Sequence, residues 1–170
     1  MLSIEGIERM FTVYETIRDV RVGSITRDTV CQRGQDGHCI DSSILEVWNH
    51  NRTLFDTTIQ TQRDLVNAVS IDTFEDGNTL IRANLMGQPQ VNADNKIVST
   101  TAFLGNILGD PDKVDDALEW ERAVLHKILS LREVWNSSGP YRIEILTDRS
   151  FNDELESVIS GDIPLMVVCS

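Results

Sequence analysis

Cysteine is the first residue type in this sequence that could do chemistry, and it occurs at Cys31, Cys39 and Cys169. An odd number of cysteines leaves at most one pair and one remaining thiol. Cys31 and Cys39 bound the segment CQRGQDGHC, in which Gly34 and Gly37 allow the chain to turn back on itself. This spacing favours a Cys31–Cys39 disulfide in an oxidising compartment, whereas the alternative is two unpaired thiols on a flexible loop.

Metal coordination is the second kind of chemistry to consider. His38 lies beside the two cysteines, but the spacing matches no common zinc pattern and no fourth ligand is evident. The acidic run from Asp110 to Glu121 lacks the glycine that an EF-hand loop needs at its sixth position. A solvated helix face explains this run better, so we predict no metal and no cofactor.

The usual signatures of enzymes are missing from the sequence. It contains no glycine-rich phosphate loop, no HExxH and no GxSxG. The carboxylate pairs Asp115–Asp116 and Asp153–Glu154 are neighbours on predicted helices, where adjacent side chains point apart. His50 and His126 are single histidines on predicted helical segments and receive no role. We therefore predict that the chain is not an enzyme.

Two glycosylation sequons are present, Asn51-Arg52-Thr53 and Asn136-Ser137-Ser138. Such triplets accept glycans only in a secretory compartment, and they also occur by chance. Both sequons lie in segments that look exposed. Together with Cys31 and Cys39, Asn51 and Asn136 favour an extracytoplasmic location.

The charge of the chain limits its partners. It has 170 residues, with 15 Lys and Arg against 27 Asp and Glu, which gives a net charge of −12 at pH 7. Binding to nucleic acid or to anionic lipid headgroups requires clustered basic residues, so this balance argues against both. No apolar run reaches the roughly 20 residues that span a bilayer.

Hydrophobic periodicity and turn signals predict a mixed order of helices and strands. The predicted helices cover residues 2–20, 44–48, 61–70, 111–135 and 150–160. Ser43 and Glu46 have the spacing of a capping box, Thr61 is a candidate cap, and Asp110-Pro111 resembles a helix start. The predicted strands cover residues 78–86, 96–105 and 141–146.

The apolar segment 163–169 has two interpretations. It is long enough for a buried strand, which composition alone favours. It would also suit the first turns of a membrane helix that continues beyond residue 170.

The order of these signals resembles the first large extracytoplasmic domain of the Patched family, within the resistance-nodulation-division superfamily. Relatives include Patched-domain-containing, Dispatched and Niemann–Pick type C proteins. Four segments carry the resemblance: CIDSSILEVW (39–48), LMGQP with NKIVSTTAFL (85–104), ALEWERAVL (117–125), and IEILTDRSFNDEL (143–155) followed by GDIPLMVV. The last of these is the most specific.

The resemblance implies an α+β fold, a ferredoxin-like split βαβ domain of the porter type with inserted helices and hairpins. The first helix and the helix over 111–135 would pack on one face of an antiparallel sheet that includes the strand YRIEIL. Residues 1–162 would form the extracytoplasmic or luminal Patched-like domain. Residues 163–170 would begin a transmembrane helix, which reverses the preference for a terminal strand.

The resemblance also implies a function. Members of the family move or sense sterols and other lipids, so the expected partners are a lipid or sterol, a possible protein ligand and the membrane-embedded remainder of the same chain. No ligand-binding residues match a family motif, and none are assigned. The rival hypothesis is a complete, soluble, acidic α+β binding module.

Overall fold

The chain combines helices with small antiparallel sheets in an α+β arrangement. The computed structural model describes residues 2–70, 85–138 and 140–145. Its helices are α1 (Ile4–Arg18), α2 (Arg27–Val30), a 3-10 helix (Ile44–Trp48), α3 (Arg52–Thr58), α4 (Gln62–Val69) and α5 (Val114–Ser138). Its strands are β1 (Arg21–Val22), β2 (Ile25–Thr26), β3 (Asp41–Ser43), β4 (Met86–Gly87), β5 (Gln90–Val91), β6 (Ile97–Ser99), β7 (Ala102–Phe103) and β8 (Gly105–Ile107).

The strands of the described ranges form four two-stranded antiparallel sheets, β1–β2, β3–β8, β4–β7 and β5–β6. In the β3–β8 sheet, Asp41 pairs with Ile107 and Ser43 pairs with Gly105. The predicted α+β class is confirmed. The larger sheet of a ferredoxin-like domain is not among the described residues, and that part of the expectation stays a prediction.

Side-chain caps set several helix boundaries, and two of these caps were predicted. Ser3 caps α1, because its Oγ accepts a hydrogen bond of 3.0 Å from the Gly6 backbone N–H. The capping box of Ser43 and Glu46 is present, although the helix that it starts is a 3-10 helix. Thr61 caps α4 as predicted, with Asp64 as its reciprocal partner. Each cap satisfies backbone N–H groups that would otherwise lack partners.

The predicted start of the long helix at Asp110-Pro111 is wrong, since α5 begins at Val114. Asp110 accepts hydrogen bonds from Asp112 N through its carboxylate and from Lys113 N through its carbonyl. These bonds form a separate turn before the helix, because an aspartate side chain can bond the backbone two residues further on. The helix also continues to Ser138, past its predicted end near Trp135.

The predicted strand over residues 141–146 is wrong for its described part, since residues 141–145 have no strand pairing. The predicted alternation of faces is nevertheless present, with Ile143 buried and Arg142 and Glu144 exposed. Ile143 belongs to the core formed with α5, and the Tyr141 hydroxyl bonds Ser3 Oγ at 2.8 Å. Side-chain contacts therefore hold this segment in place of a backbone ladder.

The single strand predicted over 96–105 is divided into β6 and β7, and β8 begins at its end. The division falls at Thr100, whose buried hydroxyl is 2.8 Å from the carbonyls of both Gly87 and Ala102. The predicted strand over 78–86 and the predicted helix over 150–160 lie outside the described residues, except for Leu85 and Met86. Segment 163–170 also lies outside them.

Two groups of buried apolar residues form the core. The larger group joins α1, the 3-10 helix, α3 and α4 and includes Ile7, Phe11, Leu45, Trp48, Phe55 and Leu65. The smaller group joins α5 to the region of β1 and α2 and includes Val20, Val30, Trp120, Val124, Ile128 and Ile143. Over the ranges that the structure describes, none of the helices combines the length and apolar character needed to cross a bilayer.

Candidate functional site

The predicted disulfide is present between Cys31 and Cys39, whose Cα atoms are 5.5 Å apart. Cys31 directly follows α2 and is buried, whereas Cys39 is half-buried. The loop between them turns at Gly37, whose positive φ of 81° suits a residue without a Cβ atom. Arg33 braces the loop by donating hydrogen bonds to the carbonyls of Gly37 and Asp28.

Backbone hydrogen bonds hold this loop against the residues that directly follow β8. Gln32 N donates to Leu108 O at 2.8 Å, and Leu108 N donates to Ile40 O at 3.0 Å. Asp110 N donates to Val30 O at 2.8 Å. The disulfide therefore lies at a junction of α2, the β3–β8 sheet and the approach to α5.

A cluster of polar side chains lies beside this junction, and we call it the polar cluster. It consists of Tyr14 from α1, Arg27 from α2, Asp41 and Ser43 from β3, and His50. Arg27 and Asp41 form an ion pair with side chains only 10% and 12% exposed. Such burial makes the pair dependent on both partners, because either charge alone would be poorly solvated.

Arg27 connects the ion pair to the aromatic part of the polar cluster. Its guanidinium lies 5.5 Å from the centre of the Tyr14 ring, within the range of a cation–π interaction. A second carboxylate, that of the exposed Asp28, is 3.3 Å from Arg27 Nη1. Arg27 Nε is buried and has no hydrogen-bond partner among the described residues.

His50 forms the other half of the polar cluster. Its ring stacks on the Tyr14 ring at a centroid distance of 4.7 Å and an angle of 24°. Its Nε2 is 3.2 Å from Ser43 Oγ. Ser43 Oγ also accepts from Leu45 N at 3.2 Å, so its own hydrogen is available to His50 Nε2. This arrangement suits a neutral imidazole that carries its hydrogen on Nδ1.

The backbone places His50 in this position through an uncommon conformation. Asn49 and His50 both have positive φ, at 51° and 53°, directly after the 3-10 helix. Left-handed residues other than glycine cost about 1 kcal/mol each. Hydrogen bonds from Asn49 N to Glu46 O and from His50 N to Leu45 O stabilise the turn.

The surroundings shift the pKa values of both rings. Burial lowers the pKa of His50 below the ordinary imidazole value, the Asp41 carboxylate opposes this shift, and the Arg27 guanidinium adds to it. Burial raises the pKa of Tyr14, while Arg27 acts in the opposite direction. Both rings are therefore uncharged at neutral pH.

The Ser43–His50 pair has the atoms of a nucleophile and a base, but the surroundings favour a structural role. Ser43 is only 7% exposed, and its Oγ is occupied as a helix cap. The Asp41 carboxylate pairs with Arg27, and no hydrogen bond joins it to the His50 ring, so this pair of described residues lacks the orienting acid of a catalytic triad. The described parts of the chain hold no group of three potential metal ligands.

The first sequon is accessible. Asn51 is exposed and caps α3, since its Oδ1 accepts from Leu54 N at 3.1 Å. Thr53 is exposed as well. A glycan on Nδ2 would leave Oδ1 free to remain a cap, so the fold and the modification are compatible. The second sequon begins at Asn136, in the last turn of α5.

The other residues considered in the sequence do not join the polar cluster. His38 is exposed in the disulfide loop, and His126 is exposed on α5. Asp115 and Asp116 are exposed in the first turn of α5, as expected for a solvated helix face. Cys169 lies outside the described residues.

Sequence reasoning assigned no functional role to any member of the polar cluster: Ser43 was identified only as a cap, and His50 was considered but received no role. Tyr14, Arg27 and Asp41 are far apart in the sequence, and nothing local connects them. The one available signal was Asn49-His50 after Trp48, because Asn and His are among the non-glycine residues that are enriched at positive φ. Comparison with family models, curated proteins and solved structures finds no match to this chain.

Proposed function

We propose that this chain is an extracytoplasmic domain of a multi-pass membrane protein of the Patched-like type, which moves or senses sterols or other lipids. The proposal rests on the four resembling sequence segments and on the chemistry of the Cys31–Cys39 loop. Within such a protein, the domain would shape a lipid path or present a surface to a protein ligand. No residue of a lipid site is assigned.

The Cys31–Cys39 disulfide is the observation that carries the extracytoplasmic part of the proposal. Disulfides persist in secreted, luminal and periplasmic proteins and are rare in the reducing cytosol. This one closes a short loop and connects the surface turn to the buried end of α2. A domain built around such a bond fits an oxidising compartment.

The accessible sequon at Asn51 supports the same location. An exposed acceptor with an exposed Thr53 two residues later meets the requirements for N-glycosylation in a secretory compartment. The net charge of −12 is compatible with this placement, because the anionic headgroups of the cytoplasmic leaflet attract basic segments.

We expect the full-length gene product, expressed in a eukaryotic secretory host, to carry a glycan at Asn51. Thr53→Ala removes the sequon but keeps the Asn51 cap of α3, whereas Thr53→Ser keeps both. The parent chain and Thr53→Ser are expected to shift in mobility after enzymatic deglycosylation. Thr53→Ala is expected to lose the part of the shift that belongs to Asn51.

The same preparation gives a second measurement. Mass spectrometry of unreduced peptides is expected to show Cys31 linked to Cys39. A chain with no glycan at Asn51 and with both cysteines freely alkylated would contradict the proposal. Testing Asn136→Gln separately assigns any remaining mobility shift to the second sequon.

A further inference from the structure

We propose that the polar cluster is a proton-sensitive joint, in which protonation of His50 loosens the contact between α1 and the segment from Ser43 to His50. The inference goes beyond the proposed function, because it concerns a property of the chain that does not require a membrane or a lipid. It would give the domain a response to acidification of its surroundings.

The geometry makes the His50 ring the connection between α1 and the segment from Ser43 to His50. Its ring lies against Tyr14 of α1 at 4.7 Å and within 3.2 Å of Ser43 Oγ in β3. Its backbone is held at a φ of 53°. The contacts of the ring add to the backbone hydrogen bonds that hold this conformation, so weakening the ring contacts loosens the turn.

Protonation changes the hydrogen bonding of the joint. A hydrogen on His50 Nε2 removes the acceptor of the Ser43 hydroxyl hydrogen, while Ser43 Oγ continues to accept from Leu45 N. The hydroxyl hydrogen of a buried serine is then left without this partner. An unsatisfied buried donor costs free energy, so the folded chain with a protonated His50 is destabilised.

Three elements place charged or titratable groups against His50. Arg27 of α2 is a cation that disfavours a second positive charge, and Asp41 of β3 is an anion that favours one. The Asp41 carboxylate is already bound by Arg27. Tyr14 of α1 is uncharged, and its ring attracts cations, but that ring already lies beside the Arg27 guanidinium. The balance disfavours the protonated ring because burial removes its solvation.

The sign of the pH effect follows from linkage. The pKa of His50 is lower in the folded chain than in the unfolded chain, so the unfolded chain takes up the proton first as the pH falls. The stability due to neutral His50 is fully present above the pKa of the unfolded chain, about 6.5, and is lost progressively below it. The loss is complete once the pH falls below the pKa of His50 in the folded chain.

Denaturant unfolding of the full 170-residue chain at about pH 7.5 and about pH 5 tests this inference. His50→Gln keeps a polar side chain that cannot take up a proton, and His126→Gln changes an exposed histidine as a control. The parent and His126→Gln are expected to lose stability at the lower pH by more than His50→Gln does. Equal losses in all three chains would overturn the proposal.

A measurement on the parent chain alone keeps the inference testable if His50→Gln does not fold. Proton NMR follows the His50 ring through the titration, while amide hydrogen exchange, corrected for its intrinsic pH dependence, follows residues 43–50. Protection of these amides is expected to fall over the range in which the ring gains its proton. A ring that titrates without any loss of protection would overturn the proposal.

Neither measurement depends on cellular location, so failure here is distinguishable from failure of the proposed function.

Discussion

Replacing Cys31 and Cys39 together by alanine is expected to lower the free energy of unfolding by about 2.5 kcal/mol. The bond closes a loop with a sequence separation of 8, and its removal returns conformational freedom mainly to the unfolded chain. The folded loop would keep its backbone hydrogen bonds from Gln32 to Leu108 and from Asp110 to Val30. Urea unfolding of the double variant and the parent measures the loss.

The control for this experiment is Cys169→Ala, which removes the third cysteine without touching the bridge. We expect it to leave the unfolding midpoint unchanged. Adding a reductant is expected to destabilise the parent to a similar extent while leaving the double variant unaffected. A double variant as stable as the parent would show that the bond contributes nothing to the fold.

Phe11→Ala is expected to destabilise the chain by about 3–5 kcal/mol. Phe11 is completely buried, and its ring centre is 5.5 Å from that of Phe55 and 6.4 Å from that of Trp48. Because these rings come from α1, α3 and the 3-10 helix, the substitution leaves a cavity where the three elements meet. A loss of this size is a large part of the total stability of an ordinary domain.

Val134→Ala is the matched control, because Val134 is 61% exposed on α5. Val134→Ala is expected to change the free energy of unfolding by less than about 0.5 kcal/mol. Thermal or urea unfolding of both variants measures the difference. Similar small effects at the two positions would mean that the aromatic group around Phe11 is not packed as described.

Tyr14 follows Phe11 by nearly one helical turn, so this packing also positions the Tyr14 ring against His50.

Features of the fold that depend on a few neighbouring residues were predictable. The reciprocal cap of Ser43 and Glu46 was predictable from its spacing and the cap at Thr61 from its residue type, because a capping bond joins residues only three positions apart. The Cys31–Cys39 bond was favoured for a similar reason, since the glycines between the cysteines allow a tight return.

Features that depend on distant partners were not predictable. The alternation of Tyr141, Arg142 and Ile143 correctly gave the buried and exposed faces, but it could not show that residues 141–145 lie outside the described strands. Helix α3 was missed for a different reason, which is local. Its start signal, Asn51, was interpreted only as a glycosylation site although it is also the helix cap.

The polar cluster shows the same limit at the candidate site. Asp41 and Arg27 are 14 residues apart, and Tyr14 and His50 come from different elements that packing brings together. Periodicity describes which face of a helix is buried, but it does not identify the side chain on the opposite element. The cluster could be recognised only once α1, α2 and β3 were placed in space.

The placement of this chain in a membrane protein is tested best by fractionating cells that express the intact gene product and washing the membranes with alkaline carbonate. We expect the product to remain in the membrane pellet with a known multi-pass protein, while a luminal soluble protein is released as the control. Release of the intact gene product into the supernatant together with that soluble control would contradict the membrane assignment.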